Sequence, residues 1–217
     1  VKIIKPSFEI MTDISPYGTL ELEQIERAAR VCYKSEGYIL DQAESAKKLI
    51  KKLIQHGHEA MLEHSSLTVK FICDRGVSHE LVRHRMASFA QESTRYCNYS
   101  KDQFGKEITV IMPSYLNRNS KAFDLWGTAC TYAETRYFEL LNEGLTPEQA
   151  RCVLPNSLKT EVVVTANYRE WRHILDLRTD NAAHPQMREL MLPLLKELYE
   201  RIPVIFDDIY EKRFKAQ

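Results

Sequence analysis

The sequence has no excess of charge in either direction: 30 Lys and Arg match 30 Asp and Glu across 217 residues. A general nucleic-acid binder needs a broad positive surface to attract phosphate whatever the base sequence, and this balance excludes one. A local positive pocket for a small anion remains possible. Cysteine is sparse: Cys32, Cys73, Cys97, Cys130 and Cys152 are scattered, odd in number, and contain no C-x-x-C pair. Disulfide and zinc frameworks are therefore poorly supported. No secretory leader is read at the N-terminus, and no apolar run is long enough to span a membrane. A reducing, cytoplasmic setting is expected. Linkers, repeats and low-complexity segments are also missing, so residues 1–217 are read as a single domain.

The usual nucleotide and metal signals are absent as well. There is no G-x-G-x-x-G after a strand and no G-x-x-x-x-G-K-[ST], which excludes the common dinucleotide and P-loop cradles. His56-Gly57-His58-Glu59 and Glu63-His64 do not form H-E-x-x-H, and H-x-E paired with P-C-x-x-C does not occur. No metal site is assigned.

Hydrophobic periodicity predicts helices over 19–34 with Thr19 as N-cap, over Asp41–His56 with Gly57 as stop, over Val77–Arg85, and over Lys121–Asn142 ending at Gly144. A short helix to Arg151 starts at Thr146-Pro147-Glu148, with Thr146 capping and Pro147 at the first helical position. Two more helices cover Tyr168–Thr179 and Pro185–Arg201. Strands are predicted at Ser66–Cys73, Ile108–Met112 and Leu158–Ala166, where β-branched and apolar residues concentrate. Few strands among many helices, without regular alternation, indicate an α+β fold.

Residues 83–95 carry the most chemistry. Arg83, Arg85 and Arg95 supply three fixed cations beside His84, three hydroxyls (Ser88, Ser93, Thr94) and the Gln91 amide. Guanidinium forks bind phosphate or carboxylate bidentately, and hydroxyls and amides suit the remaining edges of a nucleotide. The alternative for such a cluster is a solvated basic face, or internal pairing with Asp74, Glu80 or Glu92. Ser93 lacks a recognisable base and orienting acid nearby in sequence, so a binding role suits it better than a nucleophilic one.

The order Arg83-His84-Arg85, seven residues (Met86 to Glu92), then Ser93 resembles the signature of the flavin-dependent thymidylate synthases. That resemblance extends along most of the chain. Ala150-Arg151-Cys152-Val153-Leu154-Pro155 is similar to the family's Ala-Arg-x-x-Leu-Pro segment, and Asn167-Tyr168-Arg169 to its Asn-x-Arg step. Leu62-Glu63-His64 followed by Ser66, and Leu177-Arg178 followed by Asp180, match further pieces. One departure stands at Glu80, where some members carry Gln. A carboxylate accepts but does not donate, which points it to a sugar hydroxyl or an arginine rather than a phosphate.

The resemblance implies a mostly antiparallel central sheet flanked by helices and a homotetramer whose subunits share active sites. It also implies conversion of dUMP to dTMP, with methylenetetrahydrofolate as carbon donor and NADPH as reductant, through tightly bound FAD. By the same resemblance Ser66, Arg83, His84, Arg85, Gln91, Asn167, Tyr168, Arg169 and His173 contact the flavin. Glu80, Arg83, Gln91, Glu92, Ser93, Thr94, Arg95, Arg151 and Arg178 hold the nucleotide, and Arg178 activates the pyrimidine. Two other classes share the arginines. A flavin-free nucleotide hydrolase or transferase would purify colourless, and an RNA-binding module conflicts with the zero net charge.

Overall fold

The computed structural model describes residues 1–38 and 43–215. Among the described residues, six strands and eight α-helices make an α+β fold with an antiparallel sheet. Strands β2 (Ser7–Ile10), β3 (Ser66–Asp74), β4 (Ala87–Gln91) and β6 (Lys159–Asn167) form one sheet in the order β2-β3-β6-β4. A smaller sheet joins β1 (Lys2–Ile4) in parallel to β5 (Thr109–Ile111), with Ile3 opposite Val110.

The two long strands show why period two matters. Leu67, Val69, Phe71 and Cys73 of β3 are fully buried, as are Val162 and Val164 of β6 with Thr160 and Ala166 nearly so. The residues between them take the other face, where polar pairs form across the strands. Thr68 and Thr165 hydroxyls lie 2.9 Å apart, and Lys70 Nζ is 2.7 Å from a Glu161 oxygen.

Contacts group the chain into two compact units, and the division runs through the strands rather than along a linker. The first comprises Val1–Phe8, Lys70–His84 and Phe89–Val163. Its core gathers Tyr99, Ile108, Val110, Cys130, Tyr137, Ala150 and Leu158. Helix α4 (Lys121–Asn142) contributes Cys130 and Tyr137 to it, and Ser120 caps the helix by accepting the Phe123 N–H. Helices α3 (Arg75–Leu81) and α5 (Pro147–Ala150) belong to the same unit.

The second unit comprises Glu9–Val69, Arg85–Ser88 and Val164–Gln217. Within it, α1 (Thr19–Val31), α2 (Glu44–Gln55), α6 (Tyr168–Arg178), α7 (Pro185–Arg201) and α8 (Pro203–Phe214) pack around Leu22, Ile25, Ile50, Tyr168, Trp171 and Phe206. Gly18 is required before α1. Its φ is +68°, and a β-carbon there would lie 2.7 Å from the Ile202 side chain.

Most predicted elements are present, with boundaries moved by a few residues. The cap of α1 is Gly18, and Thr19 is the first helical residue. The start predicted for α2, at Asp41, lies outside the described residues. Helix α3 begins and ends earlier than 77–85, because Asp74 caps it by accepting the Val77 N–H at 2.9 Å. The Arg83-His84-Arg85 triplet therefore sits in turns beyond the helix rather than in its last turn. Strands β1, β2 and β4 and helix α8 were not anticipated.

Candidate active site

The first unit collects Glu80, Arg83, His84, Gln91 to Arg95 and Arg151 of the predicted residues. After β4 the chain turns through Ser93 and Thr94, and the Arg151 Nη1 donates to the Thr94 hydroxyl at 3.2 Å. Two segments 57 residues apart thus meet at one loop. Ser93 Oγ accepts the Arg95 backbone N–H at 3.2 Å. Among the described residues, no imidazole or carboxylate hydrogen-bonds that hydroxyl. Such a serine can position a ligand but has no base to activate it. The Arg95 guanidinium reaches Glu148 at 3.0 Å, with both side chains about half exposed. An ion pair in water of this kind contributes little, so an incoming phosphate can displace the carboxylate.

Gln91 and Glu92 are engaged within the protein. The Gln91 amide donates to the Ser78 and Thr160 hydroxyls at 2.9 and 3.2 Å. Glu92 accepts from Lys159 Nζ at 2.8 Å and from the Tyr99 hydroxyl at 3.2 Å. Burial, followed by the charge of Glu92, holds the Tyr99 phenol far above its ordinary range. These two side chains brace the segment that presents Ser93 and Thr94. Arg83 is exposed and His84 is buried, while Glu80 is half-buried on the last turn of α3.

The second unit contains a cavity of about 660 Å³ along one face of α6. Arg169, Arg172, His173 and Asp176 recur at helical spacing on that face, Asn167 and Glu170 join them at the helix N-terminus, and Trp171, Ile174 and Leu175 point into the core. Asn167 is the helix cap, and its side-chain oxygen accepts the Glu170 N–H at 2.9 Å. Its NH₂ is left to donate. Arg169 pairs with Glu63 at the surface, the two side chains 51% and 42% exposed. Tyr168 turns inward instead, fully buried against Phe206. Ser66 lines a neighbouring cavity of about 310 Å³ that shares Glu63 with the larger one.

Several cavity residues carry no signal in the sequence. Met86 lines it as an apolar wall, and Asp208, Ile209 and Lys212 come from the unanticipated α8. The helical spacing of Ile205, Phe206 and Ile209 after Pro203 is the signal that marks that helix. The acids of the cavity are largely neutralised from within. Arg172 donates to Asp208 through two bonds of 2.8 Å and to Glu59 at 3.1 Å. Burial alone would raise the Asp208 carboxyl, but these bonds and the Arg172 charge hold it below its usual value. Asp176 is met by Lys212 at 2.7 Å and Arg213 at 3.1 Å.

The cavity presents the Arg169 guanidinium paired with Glu63 at the surface, the Asn167 NH₂, the His173 ring and the Met86 thioether. Arg85, in the same unit, is exposed and has no ion-pair partner among the described residues. This donor set fits a flavin, whose ring has an apolar face and polar edges and whose tail is anionic. Arg178 lies at the last residue of α6, half-buried. Three of the thiols are held in the protonated, unreactive form. Burial pushes Cys73 up to about 12, and raises Cys97 and Cys130 as well.

A family model described as "Thymidylate synthase complementing protein" matches residues 19–204. A flavin-dependent thymidylate synthase of Corynebacterium aurimucosum is 35% identical over 86% of this chain and 79% of its own length. Those of Geobacter sulfurreducens and Pyrococcus furiosus are 34% and 32% identical, over 83% and 85% of this chain and 78% and 77% of theirs. Among solved structures, a UMP/dUMP methylase, PolB, from Streptomyces cacaoi, bound with 5-Br dUMP, superposes with a TM-score of 0.76. It covers 95% of this chain and 96% of its own at 23% identity, which establishes the fold. On the family match and on identity above 30% to relatives over most of its length, this chain belongs to the flavin-dependent thymidylate synthase family.

Proposed function

We propose that the protein catalyses reductive methylation of dUMP to dTMP, taking the one-carbon unit from methylenetetrahydrofolate and the hydride from NADPH. The observation that carries this reading is that Arg169 and His173 on one face of α6, and Asn167 at its cap, line one cavity. The whole chain is read as one catalytic domain that works as a homotetramer with shared sites in the cytoplasm. Its five cysteines are free, as a reducing compartment requires.

FAD is the cofactor assigned, with Arg169, His173 and the Asn167 NH₂ as its holders in the cavity and Ser66, Arg83, His84 and Arg85 as further contacts. The chemistry that bound FAD supplies is hydride relay from NADPH to the one-carbon unit, so folate leaves as tetrahydrofolate. The protein's own residues do the rest. Arg95, Arg151, Ser93 and Thr94 hold the nucleotide, and the Arg151–Thr94 bond fixes one against the other. Arg178 stabilises negative charge spread over the pyrimidine N3 and O4, which raises electron density at C5. Cysteine addition at C6 is not needed.

Three outcomes test this reading directly. The purified protein is expected to be yellow, to release FAD on denaturation and to bleach under anaerobic NADPH. A colourless preparation that takes up no added FAD would refute it. Arg169→Ala should lower flavin occupancy, since it removes a charge-assisted contact without replacement. Ser93→Ala should weaken dUMP binding by near tenfold, the loss of one hydroxyl contact at about 0.5–1.5 kcal/mol, and leave measurable turnover. Isolation of a covalent Ser93–nucleotide adduct would overturn the positioning role.

A further inference from the structure

We infer that Arg213, on the last turn of α8, is a positioning residue that sets the place of Arg178; the inference rests on the role proposed for Arg178 above. The last four carbonyls of α6 have no partner within the helix. Thr179 satisfies one of them: its N–H and its hydroxyl both donate to the Leu175 carbonyl, at 3.0 and 2.6 Å. Arg213 satisfies the next, donating from Nη2 to the Asp176 carbonyl at 2.6 Å. The same guanidinium donates from Nε to the Thr179 hydroxyl at 3.0 Å. It also pairs with Asp176 at 3.1 Å and, through Nη1, with Asp180 at 3.0 Å.

These partners bracket one position. Residues 176, 179 and 180 are all tied to a single side chain that is 12% exposed, and Arg178 lies between them. Asp180 in turn accepts the Ala182 N–H at 3.0 Å, which closes the turn after the helix. That bond first, and Arg213 with it, holds the Asp180 carboxyl below its ordinary value. A positive group also suits the negative end of the α6 dipole. The fork spans three directions at once, which a lysine point charge does not. An arginine that stabilises charge on a bound ring must be held to within a fraction of an ångström, and this clamp supplies that restraint.

The test is a double-mutant cycle on the full-length, flavin-loaded protein, comparing wild type, Arg178→Ala, Arg213→Lys and the double variant. Calorimetric dUMP affinity, kcat and KM for dTMP formation, and melting temperature are the readouts. Arg213→Lys is expected to lose about tenfold in kcat/KM, and the double variant to match Arg178→Ala within about twofold, the limit of ordinary additivity. A purely structural role would instead lower stability and add its loss on top of Arg178→Ala. Multiplying losses, or an Arg213→Lys protein with wild-type kinetics, would overturn the inference while leaving Arg178 in place. A silent Arg178→Ala would remove the underlying role itself. Should Arg213→Lys fail to fold, Asp180→Asn removes the Nη1 partner at the exposed edge. Its smaller loss must likewise vanish in the Arg178→Ala background, and persistence of that loss would count against the clamp.

Discussion

Replacing Arg178 by alanine is expected to slow dTMP formation by on the order of 10²-fold or more, the usual cost of removing one charge-stabilising donor. Oxidation of NADPH measured without dUMP should continue at the wild-type rate, because that step needs no pyrimidine. The contrast identifies the role. An ordinary surface arginine would change either rate little, within about ±0.5 kcal/mol. Arg178 ends a helix whose next residue, Thr179, is 1% exposed, so its backbone has little room to shift. Lysine at 178 should rescue only in part, since a point charge cannot span N3 and O4 as a planar fork does. Anaerobic stopped-flow measurement with and without dUMP separates the two rates. Wild-type values for both in Arg178→Ala would remove Arg178 from the chemistry.

How far this site is legible in the sequence depends on how local its physics is. Helix α7 falls at Pro185–Arg201 as read, because Pro at the first position and an apolar repeat mark it locally. The alternation of Leu67, Val69, Phe71 and Cys73 identifies β3 for the same reason. Strand β4 was missed because Ala87-Ser88-Phe89-Ala90-Gln91 has little β-propensity of its own. Its neighbour in the sheet is β6, some seventy residues away in the chain, and tertiary pairing decides it. Helix α8 follows α7 after a single residue, Ile202, and begins on Pro203, which at a first helical position starts a helix.

The same distinction runs through the site. Arg169 and His173 share a face because their i, i+4 spacing on α6 is local, and Asn167 caps the same helix, so the sequence shows their grouping. The inward turn of Gln91 and Glu92 depends on Ser78, Thr160, Tyr99 and Lys159, and no nearby residue signals those partners. Arg172 is a similar case. It is the arginine of α6 most enclosed by the protein, and it serves the cavity by neutralising Asp208 and Glu59 rather than by meeting a ligand. Only the fold says which arginine is which.

Trp171→Ala is expected to cost about 3–5 kcal/mol of stability, the range for deleting a fully buried aromatic. Trp171 is 0% exposed, and its indole N–H donates to the Leu67 carbonyl of β3 at 2.9 Å. Truncation therefore opens a large void and strands a buried acceptor. Trp171→Phe keeps most of the volume and loses the bond, so it should cost about 1–3 kcal/mol. Denaturant midpoints at matched protein concentration measure both. The same residue seats α6, whose opposite face carries Arg169 and His173 toward the cavity. Flavin occupancy should thus fall in Trp171→Ala even where the protein remains folded, and recover in Trp171→Phe. A Trp171→Ala protein within about 1 kcal/mol of wild type, well under the expected range, would show that α6 is held by other contacts, and the link between this anchor and the cavity would be lost.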